Sequence, residues 1–124
     1  MIRISEAEAV VMQVLWEEQP LAAEDVVARL RSRNDWAEPT IKTLLNRLLN
    51  KGAISARKDG RRYLYAPLIE RGDWLLEESS SLLERLFDGR IAPLVAHFSQ
   101  HRKLSRSDVA ELRKLLEELD DDQP

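Results

Sequence analysis

The thirty residues from Glu38 to Pro67, EPTIKTLLNRLLNKGAISARKDGRRYLYAP, constrain this chain more than any other stretch. They predict a short helix followed at once by a tight hairpin. Pro39 suits the first helical position, where the missing N–H has no partner to lose, and Gly52 suits a helix end that needs positive φ. Between them Ile41, Leu44, Leu45, Leu48 and Leu49 recur at i, i+3, i+4, i+7 and i+8, which gathers them on one face. The opposite face carries Thr40, Lys42, Thr43, Asn46, Arg47, Asn50 and Lys51. After Gly52 the period turns strand-like, with Asp59-Gly60 as a strong hairpin signal. A polar, basic helix leading into a basic hairpin is the pattern of a winged helix-turn-helix.

Charge supports that reading once it is located. The whole chain has a net charge of -3, but residues 29–62 hold ten Lys or Arg against three acids, a local +7. A nucleic-acid partner senses the local field. Arg57, Lys58, Arg61 and Arg62 surround the hairpin turn; alone they read equally as a solubilising edge. Beside the polar helix face, phosphate contact is the better reading.

Upstream, Ser5 with Glu8 three residues on forms a capping box, opening a helix whose buried stripe is Ala7, Val11, Val14 and Leu15. Trp16 lies near its end and Pro20 stops it. A second helix is expected from about Ala22 to Arg33, with Val26, Val27 and Leu30 inward. Trp36 reads as a core plug at the helix junction rather than a base-stacking residue. Tyr63 and Tyr65 alternate with Leu64 on the second hairpin strand.

Beyond Pro67 the chain becomes leucine-rich and acidic. A helix from about Glu70 to Asp88 carries Leu75, Leu82 and Leu86; a shorter one carries Ile91, Leu94, Val95 and Phe98; a third, capped by Ser105 with Asp108, carries Leu112, Leu116 and Leu119. Three amphipathic helices in some 55 residues make a marginal core alone. The expected architecture is mainly α: a winged-helix DNA-binding domain over 1–67 with a small β-hairpin wing, and a helical dimerisation domain over 68–124. The dimerisation set is Leu75, Leu82, Leu86, Leu94, Val95, Phe98, Leu112, Leu116 and Leu119.

Enzyme chemistry finds no support. There is no cysteine, no glycine-rich phosphate loop among four glycines, and no nucleophile motif. His97 and His101 stand at i, i+4 without a third ligand, so neither a metal nor another cofactor is expected. No apolar run reaches the roughly 18 residues of a spanning helix, and no leader pattern opens the chain, so a cytoplasmic protein without membrane insertion is expected.

The blocks ISEAEAVVMQVLW, TIKTLLNRLLNKG and GRRYLYAP, in that order and spacing, resemble the penicillinase-repressor family of bacterial transcription regulators. That family includes β-lactamase and methicillin-resistance repressors and a copper-responsive branch. Ala9 departs from it, where many members carry Trp. The resemblance implies a homodimer that represses by occupying a palindromic operator in double-stranded DNA. It also implies release through a membrane-bound sensor-protease system that triggers cleavage within the dimerisation region. The stretch LVAHFSQ matches the cleaved segment, which places the cut between His97 and Phe98, although His97 stands where Asn is familiar. The copper branch uses a cysteine-rich site absent here.

By residue type, Thr40, Lys42, Thr43, Asn46 and Arg47 are expected to reach base edges or phosphates, and Lys51, Arg57, Arg61 and Arg62 to hold the backbone. Two other classes remain open: a winged-helix protein-interaction module, and a repressor relieved by a small-molecule ligand.

Overall fold

The computed structural model describes residues 2–122. In chain order the elements are α1 (Glu6–Glu17), β1 (Leu21–Ala22), α2 (Ala23–Arg33), α3 (Glu38–Lys51), β2 (Ile54–Asp59), β3 (Arg62–Pro67), α4 (Arg71–Phe87), α5 (Ile91–Gln100) and α6 (Arg106–Asp122). They fall into two compact units, Met1–Leu75 and Leu76–Pro124.

In the first unit, α1, α2 and α3 bury one face each. The shared core includes Val11, Met12, Val14, Leu15, Val26, Leu30, Ile41, Leu45 and Leu48. The α1 capping box forms as expected: Ser5 Oγ accepts from Glu8 N–H at 3.1 Å and Glu8 Oε1 accepts from Ser5 N–H at 2.8 Å. Ala7, expected in the buried stripe, is only half-buried, and Met12 fills the core instead. Trp36 packs against this core from the loop before α3.

Helix α3 ends as the sequence predicts. Gly52 has φ 77°, its N–H donates to Leu49 O at 3.0 Å, and the Ala53 N–H donates to Leu48 O at 3.0 Å. These are the paired bonds of a Schellman stop, which need positive φ at that position. Ala53 is fully buried, so the stop also sets where the wing leaves the core.

Two details of the sheet differ from expectation. The second helix starts at Ala23, because Leu21 and Ala22 form a short strand that pairs antiparallel with β3, giving the order β1-β3-β2. Two residues are too few to show alternation. The wing turn is also shifted by one residue. Asp59 pairs with Arg62, so the loop is Gly60-Arg61, with Gly60 at φ 65° in the first turn position.

The first unit extends past the boundary expected at Pro67. Trp16 Nε1 donates to Ile69 O at 2.8 Å, and the Trp16 and Trp74 rings pack at a tilt of 42° with centroids 5.4 Å apart. Arg71 Nε also donates to Gln13 Oε1 at 3.4 Å. These contacts hold the start of α4 on α1.

The second unit contains the rest of α4 with α5 and α6. Gly89, at φ 74°, follows α4. Ser105 caps α6 as predicted, its Oγ accepting from Asp108 N–H at 3.0 Å while Asp108 Oδ2 accepts from Ser105 N–H. None of the three helices has a fully buried residue.

Candidate nucleic-acid interface

Helix α3 is split lengthwise by the spacing of its leucines. Ile41, Leu44, Leu45 and Leu48 are buried, while Thr40, Lys42, Thr43, Asn46, Arg47, Asn50 and Lys51 are exposed. Residues three and four apart are neighbours on a helix, so Thr40, Thr43, Asn46 and Arg47 make a continuous outward ridge. Pro39, expected at the first helical position, is the second residue of α3, still within the first turn, where its missing N–H costs no helical hydrogen bond.

The cations divide by what already holds them. Arg47, Arg57, Lys58 and Arg61 have no ion pair among the described residues, and all four are exposed. Arg61 sits in the wing turn itself, with Arg57 and Lys58 on β2. Lys42 lies 3.5 Å from Glu38 in an exposed i, i+4 pair, which water screens heavily. Arg62 lies 3.7 Å from both Glu24 and Asp59.

Lys51 is drawn out of this surface. Its Nζ lies 2.5 Å from Glu8 Oε1 and 2.9 Å from Arg3 O, so its charge serves a buried carboxylate. Burial pushes the Glu8 carboxyl up, but the Lys51 ammonium and the Ser5 N–H and hydroxyl outweigh it and hold it below the ordinary carboxylate range. No sequence pattern links positions 8 and 51.

Two of the three arginines of α2 are engaged too, Arg31 being the exception among the described residues. Arg29 Nε donates to Glu18 at 2.6 Å and Arg33 to Glu17 at 3.2 Å, both acids lying outside the 29–62 window. The local +7 therefore overstates the free charge. Apart from Arg31 on α2, what is free in that window lies on α3 and the wing.

Of the residues expected to pair two copies, Leu82, Leu86, Leu94 and Phe98 come together with Leu76, Phe87 and Ile91 along an apolar groove of about 720 Å³ between α4 and α5. Leu75, Val95, Leu112, Leu116 and Leu119 lie off that groove. Leu116 and Leu119 stand on α6, 59% and 58% exposed. His97 and Phe98 sit inside α5, with the His97 ring 4.7 Å from that of His101. No cluster of three metal-ligating side chains exists among the described residues.

A model of the penicillinase repressor family matches residues 4–118. The chain belongs to that family. It is 35% identical to the penicillinase repressor of Bacillus licheniformis over 94% of this chain and 91% of that one. It is 32% identical to the methicillin resistance regulatory protein MecI of Staphylococcus aureus, strain N315, over 91% and 92%. The solution structure of the B. licheniformis BlaI monomeric form in complex with the blaP half-operator is 38% identical. It covers 57% of this chain and 87% of that one, with a TM-score of 0.52. This penicillinase repressor relative is a DNA-binding transcriptional repressor, not an enzyme. No helix among the described residues is long and apolar enough to cross a membrane.

Proposed function

We propose that two copies of the chain, joined through α4, α5 and α6, repress transcription in the cytoplasm by occupying a palindromic operator. The observation that carries this reading is the contrast between the units. The winged helix has a complete core, whereas the tail exposes Leu76, Leu86, Ile91, Leu115, Leu116 and Leu119, each more than half accessible. An apolar surface of that extent marks a partner-binding face. Self-association is the economical partner for a repressor that must read two half-sites.

On DNA, α3 lies in the major groove with Thr40, Lys42, Thr43, Asn46 and Arg47 toward the bases. Arg57, Lys58, Arg61 and Arg62 hold phosphates from the wing. Lys51 contributes little directly, since Glu8 and the Arg3 carbonyl engage its ammonium. The regulated genes are those of β-lactam resistance or a related response, as in the relatives named above.

Release is by proteolysis before Phe98, under a membrane sensor-protease system. Because that bond lies within α5, cleavage requires local opening of the helix. Footprinting of the purified protein across its own gene neighbourhood tests the proposal. Two protected half-sites related by a dyad are expected, and a sequence-independent coating of the DNA contradicts it.

A further inference from the structure

We infer that Thr43 reads a thymine through its methyl group. The inference rests on α3 being the helix in the groove, as proposed above. Thr43 Oγ1 donates to Pro39 O, one turn back on the same helix, at 2.9 Å. A hydroxyl has a single proton, so its donor is spent inside the helix. A β-branched side chain in a helix has few χ1 choices, and the back-bond holds one of them. What Thr43 can offer outward is therefore no donor, only its Cγ2 methyl and the residual acceptor capacity of Oγ1.

Its neighbours differ. Thr40 has no side-chain hydrogen bond among the described residues, so its hydroxyl proton is available to a phosphate or a base. Asn46 and Arg47 are likewise unengaged among the described residues; Asn46 keeps the donor and acceptor that together suit an adenine edge, and Arg47 the paired donors that suit guanine. Thr43 thus places one methyl among polar readers. The matching apolar feature in the major groove is the 5-methyl of thymine, which cytosine lacks. Neighbouring positions on a helix ridge lie about 5–6 Å apart, and bases along a strand are about 3.4 Å apart. The thymine is accordingly one or two base pairs from the pair read by Arg47 or Asn46.

The test uses duplexes that the full-length protein selects from a random-sequence library, then replaces each thymine in turn by deoxyuridine. One position per half-site is expected to weaken wild-type binding roughly fourfold, the loss of one methyl-sized apolar contact. Thr43→Val keeps a methyl and should retain both affinity and this sensitivity. Thr43→Ser keeps the hydroxyl and should bind about fourfold more weakly to the thymine duplex, with no further loss on deoxyuridine. A selected duplex indifferent to deoxyuridine at every position overturns the methyl contact alone. So does a Val variant that loses affinity while Ser retains it, which would assign the reading to the hydroxyl. If selection yields no preferred sequence, the sequence-specific reading itself fails and this inference with it.

Discussion

Lys51, at the end of α3, places its ammonium 2.5 Å from the Oε1 of Glu8, a carboxylate that is 1% exposed near the start of α1. The pair fixes the helix proposed to enter the groove against the helix behind it. Its effect on DNA binding is therefore indirect, through the orientation of α3.

Lys51→Ala leaves a buried carboxylate short of its charged partner. The second oxygen of Glu8, Oε2, is buried and has no hydrogen-bond partner among the described residues. The expected loss is about 1–3 kcal/mol of folding stability, read from the denaturant midpoint. At temperatures where the variant is folded, its half-site affinity should fall less than that of Arg47→Ala.

The same pair sets an acid limb. The folded-state pKa of Glu8 is depressed, burial being outweighed by Lys51 and Ser5. Its contribution to stability is present above the unfolded carboxylate pKa and is lost as pH falls through the lower, folded value. A Glu8→Gln variant should be less stable near neutrality and show a shallower decline in acid. An unchanged slope between the two proteins would remove Glu8 from the acid transition.

Arg47 has no side-chain partner among the described residues and stands on the outward ridge of α3. Arg47→Ala should weaken operator binding by about 1–3 kcal/mol while changing random-sequence binding much less. Equal weakening on both would make Arg47 a phosphate contact.

Electrostatics should dominate non-specific binding. With the four wing cations of each protomer on phosphates, about eight per dimer, log K should fall against log salt with a slope of about −7. Replacing Arg61, free at the wing turn, should make that slope shallower by about one per protomer. Replacing Lys51 should change it little.

Much of this was legible in the chain. The Ser5–Glu8 and Ser105–Asp108 caps, the Gly52 stop and the α3 stripe are local patterns, in which the residues that specify the structure lie within one or two turns of each other. The basic wing was equally local. Three things were not. The Glu8–Lys51 pair joins residues 43 positions apart. Strand β1 takes its identity from pairing with β3 and not from its own two residues. The Trp16–Ile69 hydrogen bond, which carries the first unit past Pro67, spans 53 positions. In each case the chemistry of one segment supplied half of an interaction whose other half was set by the fold. The Lys51 assignment shows the consequence: its type and helix face suggested phosphate, and tertiary structure gave its charge another use.

In the proposed repressor the exposed tail joins two readers. Sedimentation velocity of the full chain, alone and titrated with half-site and palindromic duplexes, is the decisive measurement. A dimer in solution, two protomers per palindrome, and binding to the palindrome roughly a hundredfold or more tighter than to the half-site are expected. Leu116→Glu should abolish that advantage and leave half-site affinity unchanged. A chain that stays monomeric and binds both duplexes equally would contradict this dimeric arrangement.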